Sequence, residues 1–333
     1  MVDLPLERHR PRRRAATAYF VTVFLLITLN FFLPRAMPGD PISALVDNGG
    51  SARVQDDALR AEVARHYGLD RPLATQYVRY LGDLATGDFG VSIRYNRPVG
   101  ELVGERLPWT LLLILSGVGL AVVIGWAGGV HSGWRRGQPV DRWLMTVFLG
   151  IKGFPVFFVA SLALVVFAVK LRWFPLVGAS TPFAGAASPW TRMVDILHHL
   201  ALPAVVLSLD FAASQYLVMR AGVVGELGAD YLLLGRAKGL RPRRLKYHYA
   251  ARNALLPAVT LAALHVGFGV TAAILVETVF AYQGMGRLVF EAVAFRDYPT
   301  LQACFLVLTL MVVTVNFLAD AAYRRLDPRT AAP

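Results

Sequence analysis

The sequence predicts an all-α integral membrane protein with six transmembrane helices and both termini in the cytoplasm. Three observations carry this expectation. Hydrophobic residues make up 56% of the 333-residue chain and charged residues only 17%, against roughly 25% charged in an ordinary globular domain. A mean hydropathy of +0.49 over 36.5 kDa is more apolar surface than a water-facing fold hides. Finally, the charges behind the net +12 sit between long apolar runs and concentrate on one side of them. That placement excludes nucleic acid as a partner and makes the pI of 10.2 a consequence of topology. A single cysteine, Cys304, excludes an internal disulfide framework and a Cys-rich zinc site.

A bilayer core needs roughly 20 apolar residues as a helix, and six stretches meet that length. A short N-terminal segment, 1–16, precedes the first span at 17–37. No small-x-small cleavage site follows that run, so it reads as a retained helix and not a signal peptide. An extracytoplasmic segment, 38–106, follows; Leu59, Val63 and Tyr67 recur at helical spacing within 56–67, and a second helical piece is expected over 76–84. The second span is 107–130, without a charge, and the third is 143–169, interrupted only by Lys152. Pro155 is expected to break or kink that third helix. The fourth is 199–218 with Asp210 inside it, the fifth 255–281 with His265 and Glu277, and the sixth 300–323 with Asp320 near its end. A tail, 324–333, completes the chain, and 107–323 forms the core.

Orientation follows the basic residues in short loops. Five arginines precede the first span, three lie between the second and third, eight basic residues fill 220–252, and three arginines follow the last span. Together these are 19 of the 34 lysines and arginines; in 35–106, nine arginines are offset by ten acids.

The stretch 230–257, DYLLLGRAKGLRPRRLKYHYAARNALLP, lies on the cytoplasmic side and is too long for an ordinary helix connection. It reads as a helical piece up to Lys238, a break at Gly239 and Pro242, and a second helical piece. A patch drawn to anionic lipids accounts for its arginines but not for the glycine-proline break. Gly239 permits a sharp turn, Asp230 is a candidate helix cap, and the cations suit acidic partners.

The RAKGL run at 236–240 followed by RNALLP at 252–257 resembles the cytoplasmic signature of permeases of binding-protein-dependent ABC importers. Further landmarks are similar to the dipeptide/oligopeptide type: MPGDP at 37–41, YGLDRP at 67–72, GDFGVS at 87–92, LPAVVL at 202–207, ETVF at 277–280, GMGR at 284–287, RDYP at 296–299 and DP at 327–328. The resemblance implies half of the transmembrane pore of a cell (inner) membrane importer, bacterial or archaeal, for short peptides. Permeases of this type also serve oligosaccharide and nickel importers. It also implies partners: a second permease, one fused or two separate ATPase subunits holding ATP and Mg, and an extracytoplasmic substrate-binding protein. Carried over onto this chain, the ATPase-coupling element is Asp230, Tyr231, Arg236, Ala237, Lys238 and Gly239. The Glu-Ala-Ala of the wider class is replaced here by Leu233, Leu234 and Gly235, and of two arginines often found near the end of the fourth helix only Arg220 is present, with Leu217 at the other place.

No catalytic residue, bound cofactor or metal site is expected. None of the four lysines follows a glycine, so the chain lacks the G-K-[ST] ending of a phosphate-cradling loop and does not hydrolyse ATP itself. An ion-coupled secondary transporter is the rival class, but its inverted repeats find no counterpart in the two halves. Lys152 and Asp210 both fall near the bilayer midplane, where a lone charge costs at least ~2.5–3.5 kcal/mol. They pair with each other, line the translocation path, or do both. Glu277 is a candidate outer gate or a side chain snorkelling to water. His265 reads as a packed, hydrogen-bonded residue, His198 and His199 as interfacial anchors, and Asp320 with Tyr323 and Arg324 as an anchor at the inner face.

Overall fold

The computed structural model describes residues 10–36, 71–182 and 188–326. The helical run expected over 56–67, the MPGDP landmark, the terminal DP and much of the extracytoplasmic segment lie outside those residues, as do the side chains of Asp320, Tyr323 and Arg324. The described residues form helices joined by turns and irregular connections, with one isolated β-bridge between Val91 and Pro98. In chain order the helices are α1 Arg10–Ala36, α2 Leu73–Ala85, α3 Val99–Trp134, α4 Pro139–Lys152, α5 Val156–Lys170, α6 Pro189–Glu226, α7 Asp230–Ala237, α8 Pro242–Val279, α9 Met285–Ala294 and α10 Tyr298–Leu326.

Among the described residues, four helices are long and apolar enough to cross a membrane: α3, α6, α8 and, over Tyr298–Leu318, α10. The pair α4 and α5 adds a fifth crossing if it is one span, and α1 carries a shorter apolar stretch, Tyr19–Phe32. The third apolar stretch is not straight: α4 stops at Lys152 and α5 leaves at 96° to it. Pro155 is the cause, because it offers no N–H to a continuing helix and keeps Phe154 out of the α region; Gly153 and Phe154 close α4 through bonds to Leu149, Gly150 and Ile151 carbonyls. Two turns, Leu164–Lys170 and Leu245–Ala251, widen to π-helical geometry.

The chain divides into two compact units, Met1–Glu105 with Leu288–Thr314 and Arg106–Arg287 with Val315–Pro333. In the second, α6 is the central helix: 61% of its apolar window is buried, against 33% for α3 and α8. It starts on Ser188, whose Oγ accepts the Thr191 N–H at 3.3 Å, with Pro189 in the first turn. Gly117, Ala121, Gly125, Gly129 and Gly133 recur every fourth residue along α3, one stripe of small residues. A Cβ at Gly125 would lie 2.5 Å from Gln215 Cβ and 2.7 Å from the Ala212 carbonyl oxygen; at Gly129 it would lie 2.8 Å from Met219 Cβ and from the Tyr216 carbonyl oxygen. Gly133 meets Val223 and Gly117 meets Leu207 in the same way, at 2.9 Å each. Lipid tails are as apolar as leucine, so close van der Waals approach and not hydrophobic exclusion holds such helices together. On the other side of α6, Gly222 lies against Ala254 of α8.

The first unit is tied by polar side chains. Asn30 of α1 donates to the Gln302 carbonyl at 2.9 Å, Thr28 shares a 2.7 Å bond with Tyr77 of α2, and Tyr19 shares one of 3.0 Å with Thr314. Phe31, fully buried, packs edge-on against Tyr77.

Gly125→Val therefore forces α3 away from α6. Its thermal unfolding in detergent should show a loss of about 1–3 kcal/mol, the usual range for overpacking. Gly119→Ala is the control, since nothing lies within 4 Å of its Cβ position, and it should leave the midpoint unchanged. Equal midpoints for the two variants would exclude the seam.

Candidate functional site

Four polar assemblies and one surface stand out. The surface is α7 with the turn after it. Ala229, not Asp230, occupies the cap position, and no side chain caps the helix. Asp230 is instead the first helical residue, where its charge favours the N-terminal dipole; the expectation of a capping Asp230 is corrected accordingly. The helix ends on Lys238, Gly239 adopts φ +72°, and two bonds close the turn: Gly239 N–H to the Arg236 carbonyl at 2.9 Å and Leu240 N–H to the Gly235 carbonyl at 3.1 Å. This is a Schellman motif with glycine at its left-handed position. Leu240 and Leu245 cover Gly235, where a Cβ would come within 2.6 Å of Leu245 Cδ2. The Leu233-Leu234-Gly235 departure thus has a structural counterpart at its third position: a larger residue would have to displace the Leu245 side chain.

Leu232, Leu245 and Ala250 form the buried anchor beneath α7, flanked by Trp134, Tyr231 and Tyr249. The opposite face is open. Leu233 and Leu234 are 68% and 56% exposed, and Asp230, Arg236, Ala237, Lys238 and Gly239 are exposed with them. Tyr231 is half-buried and donates to Glu226; burial and that carboxylate raise its pKa above the usual phenol value. Of the six residues expected to act together, five share one surface and Tyr231 secures it from below.

The first polar assembly lines a cavity of about 400 Å³ at the α4–α5 break. Lys152, Phe154, Pro155, Asp210, Phe211 and Ala272 are among its walls. Lys152 and Asp210 share this cavity, yet no ion pair joins them among the described residues. Lys152 Nζ donates to Ser214 Oγ at 2.7 Å. Behind the cavity, Trp126 Nε1 donates to Gln215 Oε1 at 3.0 Å, which turns the Gln215 amide nitrogen toward His265 Nδ1 at 3.3 Å. Nδ1 is then the acceptor. Phe211 stacks on the His265 ring with centroids 4.6 Å apart, so His265 is the packed residue its sequence context indicates. His198 and His199 also have local partners, the Trp173 and Asp195 carbonyls, each at 2.9 Å.

Glu277 does not snorkel. It is 0% exposed; Thr110 Oγ1 donates to it at 2.7 Å, as do the Gly286 and Arg287 N–H groups at 2.7 and 3.2 Å. Met285 N–H in turn donates to Thr110 Oγ1 at 2.7 Å. The carboxylate therefore satisfies the free donors at the start of α9. Both glycines of the GMGR landmark make room for it: a Cβ at Gly284 would fall 2.3 Å from the carboxyl group, and one at Gly286 2.5 Å from Ile274 Cα.

Two assemblies are absent from the sequence-based expectations. Asp141, 2% exposed, accepts from Arg220 Nε at 2.7 Å and Nη2 at 2.8 Å, from Gly137 N–H at 2.9 Å, and from the Ser132 hydroxyl. Ser132 also meets Tyr216 at 2.6 Å. This ties α3, α4 and α6 at one end. In the other unit Asp297 accepts from Thr300 Oγ1 at 2.8 Å and from the Ile93 and Arg94 N–H groups at 3.2 and 3.3 Å, and Ser92 donates to it as well. The GDFGVS and RDYP landmarks are one contact. Asp141 has a sequence signal in hindsight: an acid at the start of a span with Arg220 at the same end of the next.

Residues 117–332 match the family model described as binding-protein-dependent transport system inner membrane component. The chain is 41% identical over 307 residues to a putative peptide permease protein of Brucella suis biovar 1 (strain 1330), covering 91% of this chain and 93% of that one. It is 35% identical to the oligopeptide transport system permease protein AppB of Bacillus subtilis (strain 168), over 94% and 96% of the two chains. To the glutathione transport system permease protein GsiC of Escherichia coli (strain K12) it is 33% identical, over 92% and 94%. Among solved structures, an inward-facing MetNI methionine ABC transporter chain superposes with a TM-score of 0.55, covering 68% of this chain and 96% of that one. At 16% identity this likeness bears on the fold alone.

The Asp141–Arg220 pair yields a stability prediction. Asp141→Asn or Arg220→Met alone leaves a buried charge without its partner and should cost about 3–5 kcal/mol. The double variant should lose clearly less than the sum, read as coupling in a thermal double-mutant cycle. Additive losses would show that the two charges stabilise the protein independently.

Proposed function

The chain belongs to the family of binding-protein-dependent transport system inner membrane components, and from that premise we propose that it forms half of the translocation pathway of an ATP-driven importer of short peptides. Relatives named as peptide, oligopeptide and glutathione permeases over more than nine-tenths of their length support the substrate class. The reading assigns six crossings, with α1 as the first and the α4–α5 pair as the bent third. Both termini and α7 face the cytoplasm of a bacterial or archaeal cell, which is where the positive-inside rule puts 19 of the 34 basic residues. The partners are a second permease, ATPase subunits that hold ATP and Mg, and an extracytoplasmic binding protein.

One observation carries the mechanism: the open face of α7. An exposed leucine pair beside Arg236 and Lys238 is costly in water and suits an apolar groove rimmed with acids. Leu232, Gly235 and the glycine turn fasten that face to α8, and α8 packs along α6. A push on α7 by an ATPase is thereby delivered to the helix that walls the cavity. Glu277 fixes the start of α9 and acts at an outer gate by positioning that helix.

The test uses the assembled complex in proteoliposomes with its binding protein. Wild type should accumulate peptide only with ATP inside the compartment that α7 faces. Arg236→Glu should lower peptide-stimulated ATP hydrolysis roughly tenfold, the ~1.4 kcal/mol equivalent of one charge-assisted contact. Gly239→Pro, which lacks the N–H and the positive φ of the turn, should abolish it with the complex still in the membrane. Normal transport by both variants would place coupling elsewhere.

A further inference from the structure

Lys152 and Asp210 are unusual as a pair of charges inside apolar spans. They have opposite signs, they line one cavity, and they nonetheless stay apart. The least costly arrangement for two such charges is a direct ion pair, since each alone is expensive in the membrane. Among the described residues they form none, and Lys152 reaches Ser214 instead. Lys152 is the last residue of α4, held where Pro155 ends the helix, while Asp210 rides on α6 beside the α3 seam. Lys152 spends one of its three donors on Ser214, and Asp210 makes no hydrogen bond or ion pair among the described residues. Each charge is left with capacity facing the same space.

We propose that this cavity is a binding site within the permease for a zwitterionic short peptide, with Lys152 taking the free carboxylate and Asp210 the free ammonium group. The inference rests on the peptide reading above and adds what the pore itself recognises. A volume of about 400 Å³ falls within the ~300–1,000 Å³ of small-molecule sites. Phe154 lines the cavity and stacks on Phe158, centroids 6.0 Å apart, with the two rings 55% and 48% exposed. They offer an apolar platform for a peptide side chain, and Phe211, backed by His265, closes the opposite wall. A neutral oligosaccharide uses neither charge, and a lone cation is repelled by Lys152. A ligand with both signs at its two ends satisfies both charges, which the described residues leave unpaired with each other.

The experiment measures binding of radiolabelled Ala-Phe-Ala, its C-terminal amide and its N-acetyl form to the assembled complex in nanodiscs, without binding protein. Import of the free peptide is measured in parallel, with binding protein. Wild type should prefer the free peptide roughly tenfold over each blocked form, one charge-assisted contact apiece. Lys152→Gln should erase the preference over the amide and keep that over the acetyl form; Asp210→Asn should do the reverse. Lys152→Arg should retain both preferences, which separates recognition from loss of folding. Import together with no binding, no preference, or preferences unchanged in the variants would overturn the inference alone. A complex that imports no peptide at all would overturn the peptide reading, and this inference with it.

Discussion

The close approach of α3 to α6 is the constraint on which the larger unit depends. Without a hydrophobic drive between helices in lipid, contact must come from backbones near enough for dispersion forces and polar bridges to act. Four glycines and one alanine at four-residue spacing provide that nearness, and a Cβ added at Gly125, Gly129 or Gly133 would meet α6 main chain or Cβ atoms below 3 Å. The seam also sets the polar chemistry. It brings Trp126 to Gln215, and Ser132 to Tyr216 and Asp141, at hydrogen-bonding distance. Each of these bridges joins α3 to α4 or α6, so the glycine positions decide which polar groups can be satisfied.

From that seam α6 runs between two working regions. Asp210 and Phe211 face the cavity, Arg220 enters the buried ionic cluster ten residues on, and Glu226 meets Tyr231 below α7. A buried Arg–carboxylate pair is weak evidence for net stability but strong evidence for a fixed geometry, since breaking it is costly. Here it locks the start of α4 to α6, so the α4–α5 break and the wall opposite it belong to one mechanical piece. The bend at Pro155 then has a role: it ends a helix inside the span and puts Lys152 at a cavity instead of on a lipid-facing surface.

Much of this was legible in the sequence, and the gaps have physical causes. The break in 230–257 was readable because glycine followed by proline has few other uses; Gly239 has the positive φ that its type suggested. Lys152 and Asp210, expected at similar depth because rise per residue is a local property, line one cavity. Whether they touch depends on side-chain reach and on where α4 ends, which depth does not contain. Of the two readings of Glu277, gate or snorkel, the sequence could not drop the second, because hydropathy cannot separate an interfacial acid from one buried by Thr110 and the start of α9. Asp141 was passed over because its partner lies 79 residues away. The Asp297–Ser92 contact was hidden for the same reason, although both residues stood within recognised landmarks. Local geometry was readable; long-range polar pairing was not.

The central claim is that the cavity between α4, α6 and α8 is part of a pathway moved by events at α7. Ala272 lines that cavity, and Cys304, the one native cysteine, is buried. The most direct measurement labels a single cysteine, Ala272→Cys in a Cys304→Ala background, from each side of the membrane with a charged thiol reagent. The account predicts that reactivity moves from one side to the other between the nucleotide-free complex and the complex trapped with a non-hydrolysable ATP analogue. Reactivity from the same side in both states would contradict it.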